Sequence, residues 1–285
     1  MERLPETYRR PPGSNSRSRQ VKSLLRKNSL ATVCEEARCP NLVHCFSRRI
    51  ATFMILGSVC TRACGFCAIK TGRPIAGLDD FEGEARRVAA AAEELALKHV
   101  VVTSVTRDDL KDGGALAFCK AIEALRSLSS KPKVEVLVPD FHGNVDALAM
   151  VVRAKPDVLN HNMETVSRLY RTVRPQASYQ RSLWLLSTAK EIDSGLITKT
   201  GIMLGLGEVE DEVVCLMRDC RDIDVDCFTA GQYLQPSKSH LPVVEYLSES
   251  QFSSYENHAR DMGFKSYSVG PLVRSSYNAG EMFNS

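Results

Sequence analysis

The chain has 285 residues, 44% of them apolar and 25% charged, with a net charge of +3. This supports one large globular domain or two small ones, and so mild a charge argues against a nucleic-acid binder, whose domains are usually more basic. No run approaches the roughly 20 apolar residues of a membrane span. No apolar secretory signal precedes the first predicted element, so the expected location is cytoplasmic, or an organelle interior after processing.

Residues 1–20 are polar, with Pro5, Pro11, Pro12 and Gly13, and read as an extended arm. Its arginines and serines resemble a transit peptide, but Glu2 and Glu6 argue against one. Residues 20–31 place Val21, Leu24, Leu25 and Leu30 near helical spacing, with Lys22, Arg26 and Lys27 outside, which predicts a short amphipathic helix. Residues 34–45 read as irregular chain. From residue 50 an alternation begins. Apolar, β-branched runs at 50–57, 99–105, 133–140, 157–164, 196–207 and 225–234 predict strands. Amphipathic segments at 84–97, 113–128, 145–154, 178–194, 208–223 and 250–263 predict helices, the last opened by Ser248 or Ser250 as cap. Six β-then-α units imply a parallel sheet with right-handed crossovers. They are too few for an eight-stranded barrel, so the predicted fold is α/β, an open partial (β/α)6 barrel.

Six of the ten cysteines fall within residues 34–67, as two triplets. Cys34, Cys39 and Cys45 are spaced C-x4-C-x5-C; Cys60, Cys64 and Cys67 are spaced C-x3-C-x2-C. Disulfides are disfavoured in a reducing compartment. Structural zinc prefers paired C-x2-C knuckles and closed four-ligand sites. A cubane iron–sulfur cluster normally takes four cysteines, so a triplet leaves one iron open for a small molecule or an unusual ligand. Two open sites suggest chemistry more than electron storage. Cys119, Cys215, Cys220 and Cys227 stand outside the triplets and read as buried small hydrophobes.

The second triplet, with Phe66 beside its last cysteine, resembles the signature of radical S-adenosylmethionine (SAM) enzymes. The first triplet just upstream, with "RCPN" at 38–41 and "TGRP" at 71–74, resembles the lipoyl synthase family. So do "TSVTRDDLKDGGA", "NHNMETV", "TGIMLGLGE", "QYLQPS" and "GPLVRSSY" further on. The resemblance runs from about residue 34 to 277. It implies a division into an arm with an auxiliary-cluster segment (1–49), a radical SAM partial barrel (50–263) and a C-terminal extension (264–285). It implies two 4Fe–4S clusters: one on Cys60, Cys64 and Cys67 that binds SAM, and an auxiliary one on Cys34, Cys39, Cys45 and a serine of the R-S-S-Y stretch. Ser276 is the expected ligand, with Ser275 second and Arg274 stabilising charge nearby. The implied activity is insertion of sulfur at C6 and C8 of a protein-bound octanoyl-lysine, two SAM per product. Implied partners are an octanoylated lipoyl carrier domain or glycine-cleavage H protein, and reduced ferredoxin or flavodoxin; nucleic acid and membrane are not expected. A biotin-synthase-like enzyme shares the second triplet but needs neither the first nor R-S-S-Y. A non-catalytic iron–sulfur carrier is usually small and saturated with cysteine.

In such folds ligands sit at the carboxyl ends of the strands. Thr103 and Ser104 end the second strand and suit an ammonium or carboxylate group. Asp108 and Asp109 follow, read equally as helix-entry acids. Asp140 ends the third strand. Asn160, Asn162 and Glu164 end the fourth and suit ribose hydroxyls, while His161 reads as packing. The Arg174 fork suits the methionyl carboxylate of SAM. Glycines at 201, 205 and 207 allow close approach of backbone to a flat ring; the resemblance assigns Ile202, Met203, Leu204 and Gly205 to the adenine. Gln232, Tyr233 and Gln235 are placed on the substrate side. Lys22, Arg26 and Lys27 are candidates for meeting an acidic carrier surface.

Overall fold

The computed structural model describes residues 8, 16–48, 50–75 and 80–276. In chain order the elements are α1 (Ser16–Lys27), β1 (Ala31–Thr32), α2 (Val33–Glu36), α3 (Leu42–Ser47), β2 (Thr52–Ile55), β3 (Val59–Cys60), β4 (Lys70–Thr71), α4 (Phe81–Glu94), β5 (His99–Ser104) and α5 (Ala115–Arg126). They continue with β6 (Lys133–Leu137), α6 (Val145–Arg153), β7 (Val158–Asn160), α7 (Tyr170–Val173), α8 (Tyr179–Ile192), β8 (Ile197–Leu204), α9 (Glu210–Asp222), β9 (Cys227–Gln232), α10 (Glu249–Asp261) and β10 (Ser266–Gly270).

The six expected strands are β2, β5, β6, β7, β8 and β9. They lie side by side in that order and pair in parallel throughout. Their apolar runs are buried on both faces, as strands covered by helices outside and side chains inside must be. The helices between them return the chain across the outer face, giving the α/β partial barrel expected from the alternation. Ser248 caps α10 in a capping box with Gln251.

Three features depart from the sequence reading. The sheet has eight strands: β1 adds antiparallel to β2 at one edge, and β10 adds parallel to β9 at the other. The span 34–45 is not irregular, since Cys34 lies on α2 and Cys45 on α3. The Thr32 hydroxyl, accepting from the Glu35 N–H, caps α2 and starts it early. Cys119, Cys220 and Cys227 are buried as expected, but Cys215 is exposed on α9, because it falls on the solvent side of that helix.

Inside the barrel an ionic layer replaces apolar packing. Lys199 of β8 donates to Glu135 of β6 at 3.1 Å, both fully buried. His99 of β5 and Asn160 of β7 reach the same carboxylate at 3.1 Å each. Burial pushes the Glu135 carboxyl up, but Lys199 and His99 outweigh it and hold it below the usual carboxylate range.

Candidate active site

The loop from Cys60 to Cys67 starts on the short ribbon β3–β4 and lies across the carboxyl ends of the barrel strands. Its backbone is tied on several sides. The Thr61 N–H and hydroxyl both donate to the Thr106 carbonyl at 3.0 Å, past the end of β5. The Gly65 N–H donates to Val173 of α7 at 3.0 Å, and the Leu241 N–H donates to the Gly65 carbonyl at 2.9 Å. His240 Nε2 meets the Cys67 carbonyl at 3.0 Å. Gln176 Oε1 accepts from the Ala63 N–H at 2.6 Å. A Cβ at position 65 would lie 2.8 Å from the Leu241 side chain, so only glycine permits this approach.

Arg62, between the first two cysteines of this loop, is buried and anchors it from below. It donates to Asp108 through Nε and Nη2 at 2.8 and 2.9 Å, and to Asp140 through Nη2 at 2.6 Å. His142 also reaches Asp108 at 2.8 Å, and Arg181 reaches Asp140 at 3.2 Å. Burial pushes the Asp140 carboxyl up, but Arg62 overcomes it and holds the group well below the usual carboxylate range. Asp108 is therefore an ion-pair partner of the cysteine loop, not a helix-entry acid; Asp112 fills that role by accepting from the N–H groups of Gly114 and Leu116. Asp109 pairs with Arg107 at 2.9 Å. Arg62 and His240 were not among the expected site residues. A cation inside a cysteine triplet was the available signal for the first.

The three thiols of this loop share one environment. Burial, then mutual repulsion with Cys64 and Cys60, pushes the Cys67 thiol up to about 12. Cys64 is raised by burial against the opposing pull of Arg174. Cys60 Sγ accepts from the N–H groups of Arg62 and Thr106, each at 3.4 Å. Among the described residues no three His, Cys, Asp or Glu side chains converge on a point fit for one metal ion. A cubane does not ask that of them, because each thiolate takes a different iron. A half-buried thiol set whose Cys60 sulfur already accepts from two backbone N–H groups fits a cluster whose positive irons would draw the protons off.

The first triplet lies on α2, α3 and the turn between them. Cys34 and Cys45 are buried and Cys39 half-buried. The Cys39 N–H donates to the Cys34 carbonyl at 3.0 Å, and the Cys45 N–H to Asn41 at 2.8 Å. Burial raises the Cys34 thiol to about 12, Cys39 and Cys45 adding to the rise and Thr52 opposing it. Asn41 Nδ2 donates to the Leu272 carbonyl at 2.6 Å, tying the segment to the tail that follows β10. In that tail, burial pulls the Arg274 guanidinium down while Cys39 and Glu164 pull the other way. Glu164 is raised by burial, opposed by Arg174, Asn162 and Arg274, and it is felt in turn by Cys64 and Cys67. Arg274 therefore stands within electrostatic reach of both Cys39 and Glu164.

The expected pocket residues divide. Ser104 Oγ, Asn162 Oδ1 and Arg174 Nε are buried at this end without a hydrogen-bond partner among the described residues, an arrangement open to a polar ligand. Arg174 is not a free fork, since Nη1 donates to the carbonyls of Asn162 and Met163 at 2.9 and 3.3 Å. Thr103 is buried and donates to the Leu137 carbonyl at 3.0 Å, leaving only its acceptor capacity. Asn160 belongs to the ionic layer on Glu135, deeper than the mouth. His161 is packing as expected, held between the Val138 carbonyl and Ser182. Along β8 only Met203 of the expected adenine group turns its side chain toward the cysteine loop, packing near Phe66, Leu206, Tyr233 and Leu241. Ile202 and Leu204 alternate into the main core and offer backbone alone. Gly205 takes φ +94°, with Gln232 and the Glu245 carbonyl where a side chain would stand. Gln232 is fully buried and ties Leu247 and Glu245 to β9, so it holds the fold instead of lining a pocket. Tyr233 likewise donates to the Leu241 carbonyl and Gln235 to that of His240. Ser275 Oγ accepts from Asn162 Nδ2 at 3.3 Å, and Ser276 beside it is half-buried.

Comparison with known proteins gives the following. The Radical SAM superfamily matches residues 54–220. A lipoyl synthase of Caldanaerobacter subterraneus subsp. tengcongensis is 56% identical over 260 residues, 91% of this chain and 90% of that protein. One of Alkaliphilus metalliredigens is 50% identical over 281 residues, 99% of this chain and 96% of the relative. Among solved structures, methylornithine synthase superposes with TM-score 0.55 at 17% identity, over 89% of this chain and 74% of that one. SuiB of Streptococcus suis, bound to S-adenosylmethionine, gives 0.57 at 12%, over 78% and 50%. These two likenesses concern the fold.

Proposed function

The chain belongs to the lipoyl synthase family of radical SAM enzymes, and from that premise we propose that it inserts sulfur at C6 and C8 of an octanoyl chain carried on a lysine of a partner protein. The observation that carries the reading is the tail after β10, which Asn41 of the first triplet's segment holds at the Leu272 carbonyl (2.6 Å) and Asn162 of the strand-end pocket holds at Ser275 Oγ (3.3 Å), so that it bridges the surroundings of both triplets. When bound, a 4Fe–4S cluster on Cys60, Cys64 and Cys67 supplies reductive cleavage of SAM and so the hydrogen-abstracting radical, while a second cluster on Cys34, Cys39, Cys45 and Ser276 supplies the sulfur.

The chain's own residues do the rest. Ser104 Oγ, Asn162 Oδ1 and Arg174 Nε receive the polar groups of SAM, Arg174 Nε serving its carboxylate through a single N–H. Val173, Leu206 and Tyr233, with Phe66, Met203 and Leu241 against them, exclude water from the mouth. Arg62 fixes the cysteine loop, and Arg274 offsets negative charge at Cys39. A serine oxygen is a harder iron ligand than a thiolate, which suits a site that must release iron as its sulfur leaves. The substrate is an octanoylated lipoyl carrier domain or glycine-cleavage H protein, the reductant a ferredoxin or flavodoxin, and two SAM serve each product.

The test is anaerobic reconstitution with SAM, dithionite and an octanoyl-lysine peptide, followed by mass spectrometry. The peptide is expected to gain two sulfur atoms, with loss of two hydrogens in the ring-closed form. An unchanged peptide beside accumulating 5′-deoxyadenosine would reject the substrate assignment.

A further inference from the structure

We propose that the outward face of α1 is the docking surface for an acidic face of the carrier protein that bears the acyl-lysine. The inference rests on the substrate reading above and adds where that substrate is held. Residues 16–30 contain Arg17, Arg19, Lys22, Arg26 and Lys27 and no acid; the chain nets +3, so its other residues together net −2. The positive charge is therefore local.

On the helix, Val21, Leu24 and Leu25 are buried. Arg19, Arg26 and Lys27 are exposed and Lys22 is half-buried. At 100° per residue, Arg19 and Arg26 lie opposite the buried side, with Lys22 and Lys27 at its two borders. Among the described residues none of these four makes an ion pair.

Helix stability explains only the C-terminal half of the stripe. Arg26 and Lys27 sit in the last turn, where the helix dipole favours cations. Arg19 sits in a first turn that holds no acid, where the dipole disfavours it. Lys22 and Arg26 repel at i,i+4. A basic stripe kept against these local costs is suited to an acidic partner, whose approach it would steer. Its position fits: α1 packs on α3, the helix of Cys45, so a protein seated on its outward face is one helix away from the first triplet. Acylation of the target lysine also removes one positive charge from the partner, so the acylated form is the better match.

The experiment compares an octanoylated carrier domain with a short neutral octanoyl-lysine peptide as substrates of the reconstituted enzyme. A variant carrying Arg19→Gln, Lys22→Gln, Arg26→Gln and Lys27→Gln keeps helix propensity. It should raise KM for the domain about tenfold or more, with kcat and the peptide's kinetics within twofold of wild type. Wild-type kcat/KM on the domain should fall as salt rises, and the variant should flatten that slope. Equal changes on both substrates, or unchanged kinetics on the domain, would overturn the proposal. So would loss of binding to DNA or anionic vesicles with carrier kinetics intact. If the variant does not fold, the wild-type salt series decides, and a kcat/KM on the domain that ignores salt rejects the docking surface. A wild-type enzyme that inserts sulfur into neither substrate would reject the substrate reading first, and the docking surface with it.

Discussion

Replacing Asp140 with asparagine isolates what the buried charge under the cysteine loop contributes. Asp140 is 1% exposed, and its partner Arg62 is 4% exposed, at 2.6 Å. Removing one partner of such a pair costs about 3–5 kcal/mol when the other charge is left uncompensated. Here Arg62 keeps two hydrogen bonds to Asp108, which is 22% exposed. Asparagine also retains an acceptor oxygen. The expected loss is therefore about 2 kcal/mol at pH 7, below the full-loss range. The pH dependence follows from the depressed carboxyl. A group whose folded pKa is lowered stabilises above its unfolded value, about 3.9, and loses that contribution as pH falls toward the folded value. The wild-type advantage should thus be constant from pH 7 to about 5 and shrink below about pH 4, by up to about 1.4 kcal/mol per pH unit. Urea unfolding of the metal-free, reduced protein at a series of pH values measures it. Equal midpoints for the two proteins at pH 7, or a gap that stays constant into acid, would refute the reasoning.

Other outcomes follow from the same structure. Replacing Cys34, Cys39 and Cys45 together by alanine should take iron content from roughly eight to roughly four per chain, abolish sulfur insertion and leave 5′-deoxyadenosine formation in place, read by iron assay and chromatography. Lys199→Met leaves Glu135 buried with only His99 and Asn160 as partners, and should cost about 3–5 kcal/mol in denaturant unfolding. Gly205→Ala forces a side chain onto φ +94° against Gln232 and Glu245; at least about 1–2 kcal/mol of stability should be lost. Ser276→Cys should slow the second sulfur insertion while iron content holds, followed as the ratio of singly to doubly sulfurated peptide.

Much of the barrel was legible because its strands are buried on both faces. Runs such as 99–105 and 133–140 carry enough branched apolar residues to declare themselves, and the helices between them carry one apolar face each. β10 was not legible. "SYSVG" has no apolar run, and it is a strand because β9 offers it an unpaired edge, in register Ser266 with Cys227. The cysteine triplets were legible from spacing alone. The charges that position them were not, because Arg62, Asp108 and Asp140 come together from three separate loops. The resemblance assigns the whole stretch 202–205 to the adenine without saying which side chains turn inward, and in β8 Ile202 and Leu204 join the main core while Met203 packs against Val173, Leu206 and Tyr233. Gln232 illustrates the converse. A polar residue at a strand end suggested a ligand, yet it satisfies backbone groups of the returning segment at 245–247.

The two triplets are expected to serve one reaction, one making the radical and the other giving up sulfur. A single-turnover reaction of protein reconstituted with heavy-isotope sulfide, on octanoyl-lysine peptide, tests it most directly. Both inserted sulfurs should carry the label, and none should be inserted when Cys34, Cys39 and Cys45 are replaced. Unlabelled sulfur in the product, or labelled product from the substituted protein, would contradict it.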